Sequence, residues 1–222
     1  MKLSVIITAG GIGKRMGSEI PKQFLLVNNK PVLAHTIETF SNLPFSTELI
    51  LTLPQEWISY WEELCTEKQL NYPLIIVEGG KERYDSIKNA LSHASGELIA
   101  VHDGVRPLID KATILRLVET AEKKGNAIPV KSITESIRFV DGNVSNAVNR
   151  EHYKIVQTPQ IFRRDLLLKA YEQPFQSFFT DDASLTEHLG EQIHLVEGNP
   201  ENIKITTPQD LKLLEIYLNL SD

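Results

Sequence analysis

Short apolar runs alternate along this chain with longer stretches in which apolar residues recur at helical spacing. Leu3 to Ile7 is an apolar run that breaks abruptly into glycines. From Pro31 to Phe40, residues Val32, Leu33, Ile37 and Phe40 line one helical face, with Pro31 suited to the first turn. Glu48 to Leu53 predicts a short buried strand ended by Pro54, then a helix over Glu56 to Gln69, then a strand over Leu74 to Val77 closing on Gly79-Gly80. The second half repeats the rhythm. Asp85 to Ala94 predicts a helix, Leu98 to Val101 a strand, Ala112 to Lys124 a helix stopped by Gly125, and Ala127 to Val130 a strand. Continuous apolar strands between amphipathic helices predict an α/β protein with a largely parallel sheet covered on both faces.

The rhythm then breaks. Glu135 to Val140 leads through Asp141-Gly142-Asn143 and back from Val144 to Val148, a hairpin signal. Such an arm has few core residues of its own and would be poorly stabilised alone. It is therefore expected to pack on a second subunit. Downstream, helices are predicted over Arg164 to Glu172 and Asp182 to Leu189, the latter capped by Thr180 or Asp181 and stopped by Gly190. Short strands are predicted over Ile193 to Val196 and Asn202 to Ile205. The last helix opens at Thr207-Pro208-Gln209-Asp210, a Thr cap followed by Pro and an acid. No repeat, linker or low-complexity stretch interrupts this order, so residues 1–222 read as one domain with an arm at about 132–154.

Composition narrows the class only moderately. The 222 residues carry a net charge of -6, which argues against a general nucleic-acid binder. A single cysteine, Cys65, excludes an internal disulfide and reads as a core or semi-buried thiol. No apolar run approaches a membrane span and the N-terminus lacks a cleavage pattern, so the expected location is cytoplasmic.

The chemistry concentrates where strands end. After the first strand, Thr8-Ala9-Gly10-Gly11-Ile12-Gly13-Lys14-Arg15-Met16-Gly17 is followed by Pro21-Lys22-Gln23-Phe24. Glycines let backbone N–H groups approach a ligand, and successive N–H groups with nearby Arg and Lys make an anion nest. The loop fails the Walker template, because Thr8 and Arg15 stand where Gly and Ser or Thr are needed, and the dinucleotide template, because Gly17 comes one residue late. A tight strand-to-helix turn with solvated cations is the plainer alternative. A second glycine turn, Gly79-Gly80-Lys81-Glu82-Arg83-Tyr84-Asp85-Ser86, carries polar side chains able to hold a base or ribose. Asp103 follows the strand Leu98 to Val101, where one carboxylate suits a hydrated Mg²⁺ completed by phosphate oxygens. Asp103 as a turn cap, Arg106 as an ion-pair partner of a neighbouring acid, and Arg150 and Lys204 as surface cations are the bland readings. Clustering at strand ends in an acidic chain favours phosphate chemistry. Histidines without zinc spacing and the lack of a Gly-x-Ser-x-Gly elbow speak against metal-hydrolytic or acyl-transfer chemistry.

These motifs, with His102-Asp103-Gly104-Val105-Arg106-Pro107, Gln157-Thr158-Pro159-Gln160, Thr180-Asp181-Asp182-Ala183-Ser184 and Asn202-Ile203-Lys204-Ile205-Thr206, run in the order found in the 2-C-methyl-D-erythritol 4-phosphate cytidylyltransferases, which the chain resembles from its first strand to its last helix. The resemblance implies a three-layer αβα, Rossmann-like fold with a mostly parallel mixed sheet and a protruding β-hairpin arm. It implies transfer of CMP from CTP to methylerythritol phosphate in isoprenoid biosynthesis, with Mg²⁺ or another divalent cation. Arg15 and Lys22 match the catalytic pair at the α-phosphate. Ala9, Gly10, Gly11, Gly13, Gly80, Arg83, Ser86 and Asp103 match the nucleotide site, with Asp103 near the phosphates and the metal. Arg150, Lys204 and Ser136 match the groups that hold the sugar-alcohol phosphate. The arm matches one that reaches into the partner of a homodimer; no nucleic acid or membrane partner is implied. A ribitol-5-phosphate cytidylyltransferase, a sugar-1-phosphate nucleotidylyltransferase and a non-catalytic nucleotide-binding regulator stand as alternatives.

Overall fold

The structure, a computed structural model, describes residues 1–11 and 20–221. In chain order its strands and helices are β1 (Lys2–Thr8), β2 (Leu26–Val27), β3 (Lys30–Pro31), α1 (Val32–Glu38), β4 (Ser46–Leu53), α2 (Gln55–Glu67), β5 (Leu74–Glu78), α3 (Arg83–Leu91), β6 (Leu98–Asp103) and α4 (Lys111–Lys124). There follow β7 (Asn126–Ser132), β8 (Arg138–Asp141), β9 (Val144–Ala147), β10 (Lys154–Val156), β11 (Gln160–Arg163), α5 (Arg164–Ala170), α6 (Asp182–Glu187), β12 (Leu195–Glu197) and α7 (Pro208–Ser221).

The main sheet runs β10-β7-β11-β6-β1-β4-β5, with β12 paired to β7. Strands β6, β1, β4 and β5 are parallel. From β1 the chain moves outward to β4 and β5, then returns to the other side of β1 as β6. The order reverses between β1 and β6, and their carboxyl ends open the crevice where ligands of such sheets bind.

Alternation along the strands divides the interior in two. Leu3, Val5 and Ile7 of β1 pack with α1, α2 and α4 through Leu33, Ile37, Trp61, Leu64, Ile114 and Leu117. Ile6, Ile50 and Val101 face the other way, against Ile87 and Leu91 of α3 and Leu167 of α5. This is the three-layer arrangement expected from the sequence. A third cluster joins Val27, Val32 and Val105 to Ile205 and Leu214 of α7. Each fully buried aliphatic side chain contributes about 1.5–3 kcal/mol, so both faces of the sheet must be covered for the fold to persist.

Two expectations are corrected, and one strand is added. Asn202–Ile205 forms no strand. Ile205 N donates to Val105 O at 2.9 Å, but the Asn202 carbonyl is taken by the side chains of Arg106 and Gln157, which leaves no ladder to extend. The strand expected at Ile193–Val196 forms as Leu195–Glu197, on β7. A strand that periodicity did not announce, β11, enters antiparallel between β6 and β7. Its four residues directly follow Pro159, too short a run to stand out.

The arm is a separate two-stranded sheet of β8 and β9. Asp141 pairs with Val144, so the two-residue loop is Gly142-Asn143, with Gly142 at φ +53. Phe139, Val140 and Val144 are 58, 64 and 58 % exposed, large apolar side chains left mostly open to solvent.

Candidate active site

A cavity of about 590 Å³ opens at the carboxyl ends of β1 and β6. Thr8, Ala9, Gly10 and Gly11 line one side, and Gly80, Lys81, Glu82, Arg83 and Ser86 another. Lys22 and Gln23, Asp103 and Val105, and Lys204 and Thr206 complete it. Of the residues singled out in the sequence, the structure brings Ala9, Gly10, Gly11, Lys22, Gly80, Arg83, Ser86, Asp103 and Lys204 into this one space. Gly13 and Arg15 lie outside the described residues. Arg150 and Ser136 do not line the cavity; both are exposed in the arm region, where Arg150 Nη1 donates to the Thr134 carbonyl.

Local order around the cavity comes from polar side chains tying down loops. Ala9 N donates to Thr52 O at 3.0 Å, while Gln23 Nε2 donates to Ala9 O at 2.7 Å. Lys22 belongs to a 3₁₀ turn over Lys22–Phe24 whose Phe24 ring is seated against Trp57, Tyr60 and Trp61, with centroids 5.7, 5.2 and 6.1 Å away. An aromatic anchor two residues on thus fixes where the Lys22 ammonium emerges. In the second glycine turn, Ser86 Oγ accepts from Gly80 N at 3.0 Å and donates to Glu82 O at 3.1 Å. A Cβ on Gly80 would fall 2.2 Å from the Asp85 Cβ, so only glycine fits.

Arg83 is aimed by α6. Its Nη2 donates to Asp182 Oδ2 at 2.6 Å, and the buried Asp182 also accepts from Tyr171 Oη at 2.6 Å. Gln160 locks the start of α6, donating to Asp181 Oδ2 at 2.7 Å and accepting from Ala183 N at 2.9 Å. Asp181, one of the two predicted caps, accepts from Ser184 N.

Asp103, the last residue of β6 and not a loop residue beyond it, sits on the cavity wall. Arg106 Nε and Lys204 Nζ both reach its Oδ2, at 3.0 and 3.1 Å. Burial alone would raise this carboxyl, but Lys204, Arg83 and Arg106 outweigh that and hold it far below the usual carboxylate range. Beside it, burial pushes the His102 imidazole down to about 4. Lys204 belongs to a loop in which Ile203 and Ile205 pack inward and the intervening side chain turns to the cavity. The bland reading of Arg106, an ion-pair partner of a neighbouring acid, is also correct. Sequence reasoning missed Gln23, Tyr171, Asp182 and Asn202 as supporting groups; all but Tyr171 lay inside motifs already noted, without a stated task.

The chemistry available here is anion binding by cations and glycine-rich backbone beside the buried Asp103 carboxylate. Residues 3–220 match the model of the 2-C-methyl-D-erythritol 4-phosphate cytidylyltransferase family. The chain belongs to that family. The family enzyme of Bacteroides thetaiotaomicron is 50% identical over 215 residues, covering 96% of this chain and 98% of the relative. That of Bacillus cereus is 40% identical over 221 residues, 98% of each. A crystal structure of the Thermus thermophilus family enzyme superposes with a TM-score of 0.81 at 32% identity, over 99% of this chain and 100% of that one. As a member of the family, the chain is a CTP-dependent nucleotidyltransferase that passes a cytidylyl group to 2-C-methyl-D-erythritol 4-phosphate, in isoprenoid precursor biosynthesis. No described helix is long and apolar enough to cross a membrane.

Proposed function

We propose that the 590 Å³ cavity is the cytidylyl-transfer site and that its residues divide the work as follows. The CTP phosphates lie along Ala9, Gly10, Gly11 and Gly13; the Ala9 N–H is already given to Thr52 O, so the glycine N–H groups that follow donate to the anion. Gly80, Arg83 and Ser86 hold the nucleoside end. Arg15 and Lys22 neutralise the α-phosphate, and Lys204 binds the incoming phosphate together with Arg150 and Ser136. Asp103 is the one carboxylate among the cavity-lining residues at the β6 end, and both its ion-pair contacts fall on Oδ2. One hard oxygen donor fits Mg²⁺, which takes one or two carboxylates and fills its sphere with waters and phosphate oxygens. When bound, the metal would share the triphosphate charge.

A phosphate monoester has its second pKa near 6, so at neutral pH the sugar phosphate is already a nucleophile and no general base is required. Its oxygen attacks the α-phosphorus of CTP, a new P–O bond forms, and pyrophosphate leaves with the electrons of the α–β bridge. The barrier is repulsion between anions together with charge growing on the α-phosphate oxygens. Prepositioned cations lower it without reorganising.

Two observations support an arm that works in trans. Arg150 and Ser136 are absent from the lining of their own chain's cavity, and the arm exposes Phe139, Val140 and Val144. A second copy covering those side chains would bring both residues to a cavity they do not line at home. The observation that carries the assignment is that Lys22, Arg83, Asp103 and Lys204 line one cavity at the point where the strand order reverses. Pyrophosphate release from CTP tests it: rapid release with methylerythritol phosphate and little with ribitol 5-phosphate is expected. Release with neither would remove the assignment.

A further inference from the structure

Behind the cavity wall, a closed ring of hydrogen bonds joins Asp103 to three residues, His102, Thr158 and Arg106, that have no task in the reaction as assigned above. The Asp103 backbone N–H donates to Thr158 Oγ1 at 3.1 Å, and Thr158 Oγ1 lies 3.0 Å from His102 Nδ1. His102 Nε2 lies 3.0 Å from the Arg106 carbonyl oxygen, and Arg106 Nε returns to Asp103 Oδ2 at 3.0 Å. For a neutral imidazole the protons have one arrangement. A carbonyl only accepts, so Nε2 carries the hydrogen; Nδ1 then accepts, and the Thr158 hydroxyl is its donor. That leaves the lone pairs of Oγ1 for the Asp103 N–H. Every member of the ring is satisfied.

His102 is wholly buried and Thr158 nearly so, with the Phe40 ring standing edge-on to the imidazole at 5.0 Å. Burying a polar ring here gains nothing that apolar side chains of similar volume would not supply. What the ring does accomplish is geometric. It fixes the backbone of residues 103 and 106 relative to each other and to the segment carrying Thr158, which Asn202 Nδ2 ties in turn through the Thr158 carbonyl at 2.8 Å. The Asp103 carboxylate and its Arg106 partner are held in one relative position.

We propose that His102 and Thr158 are positioning residues that present the Asp103 carboxylate to the cavity in a single orientation. The inference rests on the assignment of Asp103 to the phosphate and metal side of the site.

Thr158→Val keeps the shape and removes the hydroxyl, leaving both the Asp103 N–H and His102 Nδ1 unpaired. It is expected to lower kcat about 10- to 100-fold, the usual penalty for losing a group that orients a metal-binding side chain, and to raise the Mg²⁺ concentration needed for half-maximal rate. The KM for methylerythritol phosphate should change less than kcat, since the Thr158 hydroxyl reaches Lys204 only through Asp103. Thr158→Ser should recover most of the loss. Long-range ¹H–¹⁵N spectra of the unmodified protein should show neutral His102 with its proton on Nε2, and Thr158→Val should change the Nδ1 shift. A His102 protonated on Nδ1, or a folded Thr158→Val enzyme with unchanged kcat and Mg²⁺ dependence, overturns the proposal. If Thr158→Val does not fold, Thr158→Ser and the spectra still decide it. Asp103→Asn separates the two layers: full activity there would remove Asp103 from the reaction, while the spectra alone would still report whether the ring exists.

Discussion

Lys204 Nζ stands 3.1 Å from Asp103 Oδ2, although the two residues come from a loop near the C-terminus and the end of a central strand. The pair holds a cation at the cavity wall before any ligand arrives, and Lys204 remains 46% exposed and open to an anion. Removing it should therefore affect the phosphate acceptor more than the nucleotide. Lys204→Ala is expected to raise the KM for methylerythritol phosphate roughly 10- to 100-fold, the value of one charge-assisted contact of about 1.5–3 kcal/mol, while the KM for CTP stays within about twofold. Steady-state kinetics with each substrate varied in turn checks this. Equal rises for both would make Lys204 a structural residue.

Lys22 should behave differently. On the proposed assignment it acts where charge grows on the α-phosphate, so Lys22→Ala should lower kcat by about 10²–10³. Phe24 and Gln23 anchor the turn that carries it, so the variant should still fold, as circular dichroism would show, while turnover falls. Turnover close to that of the unmodified enzyme would take Lys22 out of the catalytic step.

The arm makes a prediction about mixed subunits. If Arg150 serves the neighbouring chain's cavity, Arg150→Ala and Lys22→Ala damage the same site from opposite chains. Unfolding and refolding the two inactive variants together should then restore about a quarter of full activity: in a two-fold dimer half the molecules are mixed, each with one intact site. No recovery, with mixed dimers confirmed by mass, would place Arg150 in its own chain's site or outside the reaction.

A fourth expectation concerns stability at the opposite end of the sheet. Glu48 accepts from Lys2 Nζ at 2.8 Å, Ser4 Oγ at 2.6 Å and Ser95 N at 2.9 Å. Burial raises its pKa, but these bonds prevail and bring it to about 2. The folded carboxyl therefore releases its proton more readily than the unfolded one. Its contribution is complete above the unfolded value of about 4.5 and fades as pH falls toward 2. Glu48→Gln should cost about 1–3 kcal/mol in urea unfolding at pH 7, and the gap between the two proteins should shrink between pH 4.5 and 2. A gap that is constant across that range would contradict this.

Much of the layout is legible from periodicity because strands buried on both faces must be apolar throughout. Val5, Ile6 and Ile7 therefore read as part of a central strand from residue type alone. Strand β11 does not, since Gln160 to Arg163 offers only two apolar residues and its burial comes from neighbours on either side. Lys204 is legible as a site residue through its motif, but its segment reads as a strand. Alternation of Ile203, Lys204 and Ile205 looks the same whether the carbonyls meet a ladder or, as here, the side chains of Arg106 and Gln157.

What the amino-acid sequence determined alone was local: a glycine-rich segment after β1, the glycine turn before α3, a carboxylate near the end of β6, and cations too numerous to rank. Each follows from residue types a few positions apart. The tertiary structure decided which of them share a space. It closed Asp103 between Lys204 and Arg106, aimed Arg83 through Asp182, and left Arg150 on an arm outside the cavity of its own chain. The Asp103–Lys204 and Arg83–Asp182 pairs join residues about a hundred positions apart, and the sheet order sets them, because the reversal between β1 and β6 brings their carboxyl ends to one crevice.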